Sequence, residues 1–446
     1  MVRKTLILAC TLLTVCSFTL PVASQEKASI PRPRLRSYHP PSPVTPDALN
    51  QMVRDEQNSE GLAAPQGSNP LPLAHWSFSV SSGRDGNSYS GVIVGQSALS
   101  NTSGSTSVPA EIIPVIVKTV ALGTAVNTTT GEITVQTGKS GDKTIFDPTH
   151  ADNACLVSPN NIPDKVFAQS PLFQTADFNF GGTDVGTTQS TDAYQRASFW
   201  NTINQSQYHV LLSPVKTLPA VTLSVPAPKN GVGGLALDLP TLIPGICGRI
   251  GLVDIGTIDN FVVTEIGILS AHGVKPTNLP MFMFYNAAFT LGDPTTLVNC
   301  CAGGYHFAVN VGTTASPVYQ TYAPFDFDMT GFFLNDSGSS SLDTEGPSHE
   351  VAEWMNDPLG SNPTPAWGHV GQVSGCQGNL EVGDPLSGLE APRIAMPNGF
   401  TYHTQELAFF SWFYGAIDGG APSIGLHGWF SDNASFLTNA GPVCTP

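Results

Sequence analysis

The stretch EGPSHEVAEWMNDPLG, residues 345–360, places one imidazole and several carboxylates at spacings that matter chemically. His349, Glu350 and Glu353 stand at positions i, i+1 and i+4. On a helix, residues four apart lie one turn apart on the same face, so His349 and Glu353 can direct donor atoms at one point. Zinc accepts carboxylate oxygen as readily as imidazole nitrogen, so this pair can supply two ligands. A carboxylate in the second place adds negative charge, which weakens the metal as a Lewis acid and raises the pKa of its bound water. Glu350 would point beside the metal and act as general base toward that water.

A catalytic zinc centre uses three protein ligands and leaves the fourth position to water. The downstream run GNLEVGDPL offers Glu381, which lies 381 − 353 = 28 residues beyond Glu353, and Asp384. Glu381 ranks first as third ligand. Asp384 is a competing ligand or the group that orients His349 through its free ring nitrogen. Asp357, one more turn along the His349/Glu353 face, and His369 are the other competitors. His306 in CCAGGYHFAVN, and His403 with Tyr402 in FTYHTQE, are candidate donors to a developing oxyanion. The bland alternative for the central stretch is a surface helix with solvated acids. His306 and His403, and still more His209 and His272, also read as structural histidines. Trp354, Trp367, Phe409, Phe410 and Trp412 read as core.

The stretch His349-Glu350-Val351-Ala352-Glu353 is one residue away from the zinc protease signature HExxH. SHEVAEWMNDP followed by LEVGDPL resembles a broad set of secreted proteins with the pattern SHExxE, a nearby DP and then E-[IV]-G-D. CCAGGYH and YQTYAPFDF resemble the bacterial branch of that set. The resemblance covers the chain from about Trp76 in character and is specific from His306 to Asp384. It implies a zincin-like metallopeptidase-type active-site helix in the C-terminal half, and with the β-rich N-terminal half read from the strand patterns the expected class is α+β. It also implies His349, Glu350 and Glu353 as the motif, with Glu381 or Asp384 in the following block. Three functions compete. The first is a secreted zinc-dependent peptidase acting on a peptide or protein substrate, with Glu350 as general base. The second is a non-catalytic secreted binding or surface protein that keeps the same fold. The third is a carbohydrate hydrolase using paired acids such as Glu350 and Asp384; without spaced aromatics to hold a sugar, it ranks last.

The elements that must position these residues belong to a chain of 446 residues, long enough for one large core or two ordinary ones. Residues 1–24 have the layout of a secretory signal, with Arg3 and Lys4 before an apolar run and cleavage expected near Ser24. Without them the formal charge moves from 18 − 34 = −16 to 16 − 34 = −18, which makes nucleic acid an unsuitable partner. No later stretch offers the ~18 consecutive apolar residues of a membrane span. The expected location is therefore extracellular or periplasmic. Six cysteines remain after the signal: Cys155, Cys247, Cys300, Cys301, Cys376 and Cys444. Export favours disulfides among them, although adjacent Cys300 and Cys301 are not expected to pair.

Residues 25–70 contain the run SIPRPRLRSYHPPSPVTP and read as a Pro-rich tether or pro-segment. Residues 71–446 read as a β-rich domain with a possible subdivision near 190–300. HWSFSVSS, YSGVIVGQS and AEIIPVIVKTV predict strands, as do YHVLLSPV, LALDLP, NFVVTEIGILSAHG and LPMFMFYNAAFTLG. Helices are predicted at Ser190–Gln205, from Ser348 to near Asp357, and at Tyr402–Gly415.

Overall fold

The computed structural model describes residues 30–415, except 31, 60–69, 100–103, 139–142, 159, 181–182, 204–206, 335–337, 369–375 and 388–392. The expected signal sequence, His369 and Cys444 therefore lie outside the described residues. Strand Ser105–Thr119 is the axis of the fold. Val108, Ala110 and Ile112 on one face and Ile113, Val115 and Val117 on the other enter different core clusters. Burial on both faces is what a near-continuous apolar strand requires. It pairs in parallel with Leu279–Tyr285, which pairs in parallel with Tyr319–Phe327, and the edge strand Phe307–Asn310 runs antiparallel to that. Val221–Val225 and His209–Thr217 also pair in parallel with the axial strand, and Thr144–Phe146 pairs with it antiparallel, making a seven-stranded sheet.

A second sheet has the order Ala287–Thr290, Arg249–Asp254, Gly234–Asp238, Ala121–Val126, Ile133–Thr137. Three connections pass from the first sheet into the second: between Thr119 and Ala121, between Val225 and Gly234, and at Asn286. Asn286 turns with φ 50°, a left-handed conformation that asparagine tolerates, and its Oδ1 accepts a hydrogen bond from Met329 N at 2.7 Å. The strand-rich α+β architecture expected from the sequence is thus observed.

Helix Glu345–Asn356 lies on strand Tyr319–Phe327, with Val351, Trp354 and Met355 in the core and Trp354 Nε1 donating to Thr321 Oγ1 at 3.0 Å. It starts three residues before the expected cap, Ser348, whose hydroxyl instead donates to Glu345 O and accepts from Gln405 N. His349, Glu350 and Glu353 are all buried, so the motif acids are not a solvated face.

Three expectations change. NFVVTEIGILSAHG, read as a strand, belongs to helix Ile255–Leu269; Ile258, Val262, Ile266 and Leu269 form its buried stripe, and Asp254 caps it by accepting from Thr257 N. The expected helix Tyr402–Gly415 is helical only at Phe410–Tyr414, because Thr401–Tyr402 pairs with Ile394–Ala395 and residues beyond bond to the motif helix and its approach. Cys300 and Cys301, whose pairing the strain of so small a ring argued against, are bonded to each other, their Cα atoms 3.1 Å apart. Cys155 and Cys247 form a second disulfide. No helix among the described residues is long and apolar enough to cross a membrane.

Candidate metal centre

One turn of the motif helix and the loop at 381–384 converge. His349 Nε2 lies 3.0 Å from Glu353 Oε2 and 3.5 Å from Asp384 Oδ1. On the other side of Glu353, His306 Nδ1 lies 3.6 Å from the same Oε2 and 3.8 Å from Glu350 Oε2. Among the described residues, two overlapping groups could each hold a metal ion: His349, Glu353 and Asp384, or His306, Glu350 and Glu353. In each, the donor atoms lie within 4.8 Å of one another.

Neighbouring groups fix these donors. Gln405 Nε2 donates to Gly383 O at 2.6 Å, which leaves Gln405 Oε1 to accept from His349 Nδ1 at 2.8 Å. His349 Nε2 is thereby turned toward Glu353 and Asp384. Asp357 O likewise accepts from His306 Nε2 at 2.9 Å and turns Nδ1 toward Glu350 and Glu353. Glu353 Oε1 accepts from the amides of Gly383 and Asp384 at 3.0 and 3.2 Å, leaving Oε2 to the two histidines. Gly383 has a specific reason to be glycine, since a Cβ there would lie 2.5 Å from His349 Nδ1.

The cluster confines several carboxylates away from water, and such charge must be balanced by protons or a cation. Burial alone would lower the His349 imidazole, but Glu353, Glu350 and Asp384 together hold it well above its ordinary value. His306 is raised in the same way against its burial, by Glu381, Glu350 and Glu353. Burial raises Glu350 and, more strongly, Glu381. Glu353 goes the other way: burial would raise it, yet the two imidazoles hold it well below the usual carboxylate range. Glu353 is therefore the anion around which the cluster is organised.

The structure brings His349, Glu350, Glu353 and Asp384 together, with His306 among them. Glu381 lies next to the group, accepting from Asn379 Nδ2 at 2.6 Å, with its other oxygen 3.8 Å from His306 Nε2. Asp357 is taken up by the amides of Ser361 and Asn362. Tyr402 donates to Val166 O at 2.6 Å and His403 Nδ1 lies 2.5 Å from Asp343 Oδ2, so neither joins the converging donors. Gln405 carried no role in the sequence reading, and His39 lay in the presumed tether. His39 Nε2 is 2.8 Å from Asp384 Oδ2, and its ring is raised to about 10, burial opposing and Glu381 and Asp384 prevailing. These residues border a cleft of about 430 Å³, part of it open solvent.

Replacing Gln405 with Leu should weaken metal binding by roughly 10- to 100-fold, as loss of an orienting partner does. Competition against a chelator of known affinity measures this. Unchanged affinity would show that Gln405 does not orient a ligand.

Compared with known proteins, the chain matches no family model, no curated protein and no solved structure.

Proposed function

We propose that the protein is a secreted zinc-dependent peptidase, with His349, Glu353 and Asp384 as metal ligands and Glu350 as general base. The observation that carries this reading is the convergence of His349 Nε2, Glu353 Oε2 and Asp384 Oδ1, each side chain held by a further contact. One imidazole and two carboxylates are a donor set that suits zinc. Zinc held there supplies a Lewis acid and lowers the pKa of a bound water. Glu350 stands outside this ligand set, one residue along the helix, and its burial favours taking up a proton. His306 faces Glu350 and Glu353 and positions both. Glu381 lies behind His306 and tunes its charge.

Metal analysis and a mixed peptide library test the reading together. The mature chain should carry about one zinc and, once the N-terminal segment that carries His39 is cut and removed from the cleft, cleave peptides. Zinc without turnover would make the protein a binding module that keeps the site. Absence of bound metal from protein isolated with zinc present would remove the proposal altogether.

A further inference from the structure

Residues 35–39, which the sequence places in a tether or pro-segment, line the cleft, and residues 32–34 lead into it. The backbone is bound like an added strand: Leu334 N donates to Pro33 O at 3.0 Å, and Arg36 N to Cys301 O at 2.7 Å. Arg34 forms a parallel bridge with Leu334. Side chains then enter in turn. Arg32 donates to Phe332 O at 3.1 Å, to Ser340 Oγ at 2.8 Å and to Gly331 O, and burial lowers its pKa despite the Asp328 carboxylate. Leu35 lies so close to Gly303 that a Cβ there would approach its Cδ1 to 3.0 Å. Tyr38 meets Tyr305 edge to face at 5.5 Å. Ser37 donates to Asp384 Oδ1, the oxygen that also faces His349, and His39 lies 2.8 Å from Asp384 Oδ2 and 3.5 Å from Glu381 Oε1.

The sequence of this segment, R-P-R-L-R-S-Y-H, sets three arginines at alternate positions in a chain whose formal charge is −16. The cleft beneath is acidic: Glu345, Glu350, Glu353 and Asp384 line it together with Leu35–His39. An extended backbone attached by main-chain hydrogen bonds, with alternate side chains entering pockets, is how a strand-like peptide is recognised. We infer that the cleft is a groove for extended peptides that set a hydroxyl and a basic side chain, here Ser37 and His39, against Asp384 and Glu381, and that residues 32–39 are its intramolecular occupant, closing it to other ligands in this form. This inference rests on the reading of the cleft as a peptide-cleaving site and names its ligand class. It further means that the segment and a metal draw on the same carboxylate, Asp384.

The test inserts a recognition sequence for a specific protease between Pro41, which is exposed, and Ser42, in the otherwise complete chain. After cutting, the N-terminal piece should stay with the body on gel filtration, or a labelled peptide of residues 30–41 should bind the body and be displaced by salt. A piece that separates, together with a peptide that fails to bind, overturns the inference. A second route needs no insertion. Ser37→Ala with His39→Ala in the uncut chain should open the groove, so that the labelled peptide binds at least about tenfold more tightly than to the parent. Equal binding would also overturn it. Turnover separates this inference from the peptidase reading. Peptide binding without cleavage of any library member, before or after cutting, keeps the groove and discards the peptidase. Cleavage by the uncut chain that is as fast as cleavage by the cut body after the N-terminal piece has been removed at high salt keeps the peptidase and discards the occupant.

Discussion

Glu350→Gln should keep its zinc and lose turnover by roughly 10²- to 10⁴-fold, the usual cost of removing a positioned acid–base group. The substitution retains the shape of the side chain, which matters where Glu350 Cγ would lie only 2.7 Å from a Cβ placed at Gly304. What it removes is the proton acceptor. Because burial already holds Glu350 above its ordinary range, the neutral amide also replaces a charge that was costly to bury, and the fold should tolerate it. Zinc content and the thermal midpoint are the controls. Loss of zinc in this variant would place the metal in the other group, His306, Glu350 and Glu353, and end the assignment of Glu350 as base.

The second large effect concerns the metal itself. His349→Ala should take the chain from about one bound zinc to none, since a centre with three protein ligands rarely survives loss of its imidazole. His306→Ala and Glu381→Gln should retain the ion, because neither residue belongs to the set formed by His349, Glu353 and Asp384. Stripping zinc from the parent with a chelator should lower its melting temperature toward that of His349→Ala, as expected when a ligand binds only the folded state. Zinc retained by His349→Ala but lost from His306→Ala would invert the assignment.

The helix and its face were legible in the sequence because their spacing is local. His349 and Glu353 announce themselves at i and i+4, and Asp384 lies within a short downstream run. His39 could not be read this way: it sits among prolines and reaches Asp384 across 384 − 39 = 345 residues, a contact set by tertiary packing. His306 was visible as a candidate, but its place depends on how the edge strand that follows it is registered against Tyr319–Phe327. Helix Ile255–Leu269 was misread because a run rich in Ile and Val favours strands by composition. Its capping Asp254 and four-residue apolar spacing carried the better signal. Tyr402 and His403 shared a promising pair of side chains, yet the small ladder with Ile394–Ala395 sends the tyrosine to Val166.

Glu353 also explains why the second imidazole of the commoner motif has no place here. Its two oxygens work in different directions, Oε1 pinning the amides of Gly383 and Asp384 and Oε2 facing the histidines. An imidazole protonated on one nitrogen has a single lone pair to offer, so a histidine at 353 could not serve both a metal ion and the loop amides. The loop that it would release carries Asp384. A change that completes the HExxH pattern would therefore dismantle the site from its opposite wall, and the carboxylate is the keystone joining helix to loop.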